Sequence, residues 1–173
     1  VLLRSNKDAE PFIRALNMKG IPWRFSGNQG LYSRMEIRLL VSFLKVISNL
    51  SDSISLFHLV SSEIYNFNML DLNRIMDIAH RNNRPLFYLF GNLSIFEGLN
   101  DIPQPTRKNI ERVLKDIEKF SEGSRELTTG RLLYRILTET GYLKALIKND
   151  LPESEEKVQN IAKFFEIVRD FET

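Results

Sequence analysis

Cysteine is absent from the 173 residues, which excludes disulfide bonds, thiolate metal sites and cysteine nucleophiles. Histidine is scarce, because His58 and His80 are the only two and they stand too far apart to share a helix face. We therefore interpret each as a surface or helix-cap residue rather than a metal ligand. Apolar runs are short of the roughly 20 residues of a membrane span, and no signal peptide opens the chain. These absences predict a cytoplasmic protein with no membrane partner.

The charges are nearly balanced, with 24 Lys and Arg against 22 Asp and Glu. Such a balance neither requires nor excludes a nucleic-acid partner. Hydrophobic residues make up 43% of the chain, which is typical of a globular protein. The densest acids, Asp150, Glu153, Glu155 and Glu156, have a structural explanation at a helix N-terminus. Glycine-rich phosphate loops of the Walker and dinucleotide types are also missing, so we expect no catalysis by this chain alone.

The opening segment predicts a small β-α-β stub. Val1 to Arg4 is typical of a strand, a helix follows Ser5 or Asn6, and Gly20 supplies a left-handed stop before a second strand at Ile21 to Phe25. Two strands do not form an independently stable sheet, so we expect this chain to be a piece of a larger protein. An uncovered strand could also pair with a second copy in a non-native dimer.

The rest of the chain predicts a multi-helical domain, so the fold class is mainly α. Ser33 and Glu36 have the spacing of a capping box at the start of one helix. Further helices are expected over Ser53 to Ser61, over Leu70 to Asn82, near Pro85, from Thr106, around Leu132 to Leu137, over Tyr142 to Lys148 and from Ser154. The helix from Thr106 should carry Lys108, Lys115 and Lys119 outside, and the last should bury Val158, Ile161, Phe165, Val168 and Phe171.

Two glycines, Gly27 and Gly30, bracket the stretch GNQG between the stub and the helices. A GXXG loop clamps the nucleic-acid backbone in KH domains, but there it joins two helices, whereas here a predicted strand precedes it. We therefore interpret Gly27 and Gly30 as a hinge between two structural units.

The first sixty residues resemble superfamily 1A DNA helicases of the UvrD/Rep/PcrA family. The resemblance runs without a gap through VLLRSN, GIPWRFSG and SRMEIRLLVSFLKVISN. It corresponds to three features of that family: an LYRSN-like strand end, a G-[IM]-P-[YF] turn, and a GG…FF-x-R-x-E-I-[KR] segment that enters a helix. Beyond about residue 84 only the helical pattern and length are similar.

This resemblance implies that residues 1–26 are a fragment of the RecA-like 2A domain and that residues 27–173 are the helical 2B subdomain. It implies an ATP-dependent 3′ to 5′ helicase whose ATP and Mg²⁺ are bound outside this chain. The implied partners are single-stranded DNA, a duplex junction and the remaining helicase domains. By position, Arg4 and Asn6 would contact the single strand and Arg38 the duplex. The pathway, whether repair, replication restart or recombination, is left open.

The main departure from the family lies at Tyr65, Asn66, Phe67 and Asn68, where members often carry a T-R-G-I-G hairpin that grips a duplex phosphate. Asparagine tolerates positive φ, so we expect the turn to persist. The family arginine is replaced by Tyr65, and we expect the larger side chains to crowd a phosphate and Glu63 to repel it.

Two other functions compete with a DNA-contacting subdomain. The helical part could act as a protein-protein interaction or autoinhibitory module with negligible DNA contact, using exposed Phe and Leu surfaces. It could also be a freestanding helical adaptor, which the match at the chain's opening disfavours.

Overall fold

The computed structural model describes residues 9–22, 30–149 and 151–172. Its elements are α1 (Ala9–Met18), α2 (Met35–Ser48), α3 (Ser53–Val60), α4 (Met69–Arg81), α5 (Leu86–Gly91), a 3₁₀ turn (Leu93–Ile95), α6 (Gln104–Gly123), α7 (Thr129–Glu139), α8 (Tyr142–Lys148) and α9 (Pro152–Glu172). The chain divides into two compact units, residues 1–34 and residues 35–173. In the described ranges, no helix is both long enough and apolar enough to cross a bilayer.

The first unit does not contain the predicted β-α-β stub in its described part. Val1 to Arg4 lie outside the described residues, and Ile21 and Pro22, which were expected to begin the second strand, are not extended in a ladder. The amide of Ile21 donates instead to the carbonyl of Leu16 at 3.0 Å, and Gly20 adopts a φ of 64°. This is the hydrogen-bond pattern of a Schellman helix end, so Ile21 belongs to the C-terminus of α1. The left-handed stop predicted at Gly20 is confirmed.

The second unit has a continuous apolar core centred on α2, which packs against α3, α6 and α9. Phe43 of α2 lies at the middle of this core and contacts the ring of Phe120 edge-on, with centroids 5.9 Å apart. Because neighbours cover α2 on more than one side, its buried face is wider than one helical stripe. Leu39 and Val46 are therefore buried alongside Ile37 and Leu40.

Local signals determine where most of these helices begin. Asp52 caps α3 by accepting a hydrogen bond from the amide of Ser55, and Thr128 caps α7. Gly141 takes a φ of 78° directly before α8, so the predicted helix from Tyr142 to Lys148 is confirmed. The helix expected near Pro85 is likewise confirmed as α5.

Three predictions made from local pattern are wrong. The capping box does not form, because Ser33 Oγ donates to the carbonyl of Gly30 at 2.9 Å and Glu36 points into the core of the second unit. The last helix does not start at Ser154, since α9 begins at Pro152, and proline fits a first helical turn. Phe171 was expected to be buried, but 86% of its surface is exposed near the end of α9.

Candidate nucleic-acid interface

Three of the five positions predicted for DNA contact or the hinge, Arg4, Asn6 and Gly27, lie outside the described residues. The fourth, Gly30, lies in a turn and accepts a hydrogen bond of 3.0 Å from the amide of Arg34. A Cβ added at Gly30 would meet its nearest atom, Arg34 Nε, at 3.6 Å, which is an ordinary contact. Steric crowding therefore does not require glycine at position 30, and the hinge stays a prediction.

The fifth position, Arg38, is an exposed residue of α2 that contacts His58 of α3. Its Nη2 atom lies 3.4 Å from Nδ1 and 3.2 Å from Nε2 of the imidazole. These two ring nitrogens flank Cε1, so an atom in the ring plane at both distances would overlap that carbon. The guanidinium nitrogen consequently lies over the face of the ring. Local sequence patterns do not predict this pairing, because the two residues are on different helices.

The segment of residues 62–68, which we call the hairpin segment, joins α3 to α4 and contains the predicted turn, but its aromatic side chains lie differently from the expectation. Asn66 has a φ of 48°, so the turn expected there forms. Tyr65 and Phe67 are buried in the core and do not crowd the outer surface, which corrects that expectation. The hydroxyl of Tyr65 donates to Asp116 Oδ2 at 3.0 Å. Burial and the Asp116 carboxylate raise the pKa of Tyr65.

Asn68 ends the hairpin segment and caps α4. Its Oδ1 atom accepts hydrogen bonds from the amides of Leu70 at 2.9 Å and Asp71 at 3.4 Å. Amides at a helix N-terminus are the groups that would otherwise bind a phosphate. Here the side chain of Asn68 already occupies two of them, and Asp71 adds a negative charge in the first turn. The hairpin segment is therefore a poor phosphate grip in its own right.

Arg112 of α6 holds the hairpin segment by contacts with its backbone and with the Tyr65 ring. It donates from Nη1 to the carbonyl of Ile64 at 3.1 Å and from Nη2 to the carbonyl of Thr140 at 3.3 Å. Its guanidinium carbon lies 5.3 Å from the centre of the Tyr65 ring, within cation-π range. One side chain thus ties the segment to the C-terminal end of α7. Tyr65 stands where family members carry an arginine, and Arg112 of α6 supplies a cation next to it.

Four cations follow one another along α6 at spacings of four, three and four residues, which places them on one helix face. We call this set the basic stripe: Lys108, Arg112, Lys115 and Lys119. Lys119 pairs with Glu139 at 2.6 Å. Lys108 and Lys115 are exposed, as predicted, and in the described part of the chain no carboxylate lies within ion-pair distance of either. The stripe therefore offers at least two exposed cations, Lys108 and Lys115, that are not held in an ion pair among the described residues.

Glu63, expected to repel a phosphate, has its charge compensated. The hydroxyl of Tyr142 donates to Glu63 Oε1 at 2.8 Å, and Lys157 Nζ donates to the same atom at 2.7 Å. Partial burial would by itself raise the pKa of Glu63, but the bonds from Lys157 and Tyr142 outweigh it and the pKa is lowered. Glu63 is thus a charged anchor between the hairpin segment and the helices α8 and α9.

The residues described do not fit ATP or Mg²⁺. Across those ranges no three His, Asp or Glu side chains gather at one point, and carboxylate oxygens are the ligands Mg²⁺ requires from a protein. The sequence also has no glycine-rich loop that could cradle a triphosphate. No chemical step can be assigned to nucleotide bound by these residues.

An apolar notch of about 370 Å³ opens elsewhere on the second unit, at the junction of α7 and α8. Leu143 and Ile147 form its apolar wall, and Lys144 and Lys148 stand at its edge. Ile147 is largely exposed. Such a notch has the character of a protein contact rather than of a nucleic-acid contact.

Comparison with known proteins places these features in a family. The whole chain, residues 1–173, matches the UvrD-like helicase C-terminal domain. It is 24% identical over 172 residues to the ATP-dependent DNA helicase PcrA of Staphylococcus aureus (strain Mu50), and 24% identical to the same-named protein of Staphylococcus epidermidis (strain RP62A). Each match includes 99% of this chain but only 23% of the relative's length. The chain belongs to the UvrD-like helicase C-terminal domain family.

Proposed function

We propose that this chain is the 2B-like part of an ATP-dependent 3′ to 5′ DNA helicase, with residues 1–26 contributed by the RecA-like 2A domain. The full-length family match supports this assignment, as does the name of the relatives, ATP-dependent DNA helicase. ATP and Mg²⁺ are held by other domains of that enzyme. The chain itself binds DNA and controls access to the junction of single and double strands.

The observation that carries the DNA contact is the basic stripe beside a rigidly held hairpin segment. Phosphate contacts position a protein on DNA and need exposed Lys or Arg side chains in a line. Lys108 and Lys115 meet this requirement, and Arg112 holds the neighbouring segment in place. Duplex contact in this chain is thus assigned to side-chain cations of α6 rather than to amides of the hairpin segment.

Arg38, Arg4 and Asn6 complete the proposed DNA contacts. Arg38 belongs to the duplex side, and Arg4 and Asn6 belong to the single-strand side in the 2A fragment. An arginine and an asparagine at the end of a strand can hold a phosphate by charge-assisted hydrogen bonds. Gly27 and Gly30 provide the hinge about which the 2B-like part turns.

Strand-separation assays on the complete protein encoded by this gene test the proposal. The protein should unwind a duplex with a 3′ single-stranded tail in the presence of ATP and Mg²⁺, and should leave a duplex with a 5′ tail intact. Replacing Arg4 and Asn6 together by alanine should slow translocation on single strands. Unwinding of the 5′-tailed duplex alone would contradict the assigned polarity.

A second candidate function is an interaction or autoinhibitory module, which the apolar notch at Leu143 and Ile147 favours. Lys144 and Lys148 at the rim suit a partner segment with an apolar residue flanked by carboxylates. The variant Ile147→Asp separates the two functions. Under the DNA-contact proposal it leaves both fork binding and the unwinding rate of the complete protein unchanged. Under the interaction proposal it changes the unwinding rate without changing DNA affinity.

A further inference from the structure

Arg38 and His58 contact each other on the surface made by α2 and α3. Both side chains are exposed, and the guanidinium nitrogen lies over the imidazole face at 3.2 to 3.4 Å from the ring nitrogens. In the described residues the other guanidinium nitrogens of Arg38 make no hydrogen bond, and a guanidinium has several N–H groups that can donate to a further acceptor.

Protonation of His58 changes what this pair can bind. A neutral imidazole can lie in contact with the guanidinium of Arg38 without charge repulsion. The imidazolium places a second positive charge beside that guanidinium. Two cations in contact repel each other unless an anion lies between or across them. A phosphate oxygen is such an anion, since it accepts hydrogen bonds from both groups at once.

Within residues 9–22, 30–149 and 151–172, the charged side chains of the neighbouring elements do not compensate His58. Of the helices that pack against α3, α5 has no Asp, Glu, Lys, Arg or His, and Arg84 just before it lies over the Tyr88 ring. On α2, the side chain of Glu36 is turned inward to Asn160. Lys45 acts on Asp52, which caps the opposite end of α3 and bonds Ser55.

We propose that Arg38 and His58 together form a phosphate-binding site for the backbone of duplex DNA, and that the site binds more tightly when His58 is protonated. The inference rests on the proposed function, because it takes the duplex as the ligand of Arg38. It adds His58 as a second contact residue and makes DNA affinity depend on whether that side chain is protonated.

Binding of the 173-residue chain to a forked duplex at constant ionic strength tests the site, measured by fluorescence anisotropy at about pH 7.5 and about pH 5.8. The wild-type affinity should rise about three- to fivefold at the lower pH, the size of one exposed charge pair. His58→Gln should lose this rise, and Arg38→Gln should bind more weakly at both pH values. His80→Gln is the matched control, because it removes the other histidine, at the end of α4, and should keep the rise.

The outcomes separate this inference from the function on which it rests. A pH-dependent rise that survives in His58→Gln would overturn the site and leave DNA contact standing. An absence of fork binding at any pH would overturn both. NMR gives a second readout: the pKa of the His58 ring should rise when the fork is added and the pKa of the His80 ring should not. Inorganic phosphate should raise the pKa of the His58 ring less than the fork does. An equal effect of inorganic phosphate would overturn the assignment to a DNA backbone.

Discussion

The side-chain amide of Asn160 donates a hydrogen bond of 2.8 Å to Oε1 of Glu36, and both side chains are buried. The bond joins α2 and α9, the first and last helices of the second unit. A carboxylate taken out of water needs partners of this kind, because desolvation disfavours its charge. The pair therefore fixes how the C-terminal helix is seated against the core.

Glu36→Ala should lower the free energy of unfolding by about 1 to 3 kcal/mol, since it leaves the amide of Asn160 buried without its acceptor. Urea denaturation of the 173-residue chain measures the change. Glu36→Gln keeps the size and an acceptor oxygen, so it should cost less than Glu36→Ala. Equal stability of Glu36→Ala and wild type would show that the bond does not contribute to the packing of α9.

Arg112→Lys should loosen the hairpin segment while leaving the charge in place. A lysine ammonium cannot span the carbonyls of Ile64 and Thr140 as the forked guanidinium does. Amide hydrogen exchange in residues 62–68 should become faster, and the free energy of unfolding should fall by about 1 kcal/mol. Lys115→Arg, a change on the same helix face at an exposed position, should alter neither quantity. Unchanged exchange in Arg112→Lys would mean that the segment is held by its buried rings alone.

Asn66 has a left-handed backbone conformation, so the stability of the chain should depend on which residue stands at position 66. Asn66→Ala should destabilise the chain by about 1 kcal/mol, because a non-glycine side chain at positive φ is costly and alanine lacks the local hydrogen bonding of asparagine. Asn66→Gly should be close to neutral, since glycine removes the strain but adds freedom to the unfolded chain. Thermal unfolding of the two variants makes the comparison. Greater stability of Asn66→Ala than of Asn66→Gly would contradict the assigned turn.

Glu63 should contribute stability that acid removes. Its pKa is lowered in the folded chain, so its contribution is fully present above the ordinary value of 4.5 and is lost as pH falls through the folded pKa. The side chain is more than half exposed, so solvent screening limits the contribution to less than about 1 kcal/mol. Wild type should exceed Glu63→Gln in stability at about pH 7 and lose that advantage at about pH 3.

The other acids with lowered pKa values, Asp52, Asp101 and Glu139, are present in both proteins and cancel in this comparison. A stability difference that stays constant between the two pH values would show that the bonds from Lys157 and Tyr142 do not depend on the charge of Glu63.

Helix positions were the most predictable part of this fold. Pro85 and Gly141 are strong local signals, and α5 and α8 begin where these residues indicate. The strand predicted from Ile21 was wrong because its amide serves the end of α1, a choice that depends on a hydrogen bond and not on hydrophobic pattern. The burial of Phe171 was wrong because periodicity does not show where neighbouring helices stop.

The candidate site was less predictable than the fold. The sequence indicated Arg38 and the lysines of α6, but it did not indicate His58 or the role of Arg112. Both depend on contacts between residues that are far apart in the chain, and no local spacing reports such contacts. Asn160 is the same case in the core, since its partner Glu36 lies 124 residues away along the chain.

The salt dependence of fork binding tests the DNA-contact claim most directly. The equilibrium constant of the 173-residue chain should fall linearly with salt on a double-logarithmic plot, with a slope of about 0.9 per phosphate contacted. The double variant Lys108→Gln and Lys115→Gln should reduce that slope by about 1.8. Lys144→Gln with Lys148→Gln, which removes the same charge at the apolar notch, should leave it unchanged. A slope that is the same in wild type and the α6 variant, or no fork binding at low salt, would contradict the account.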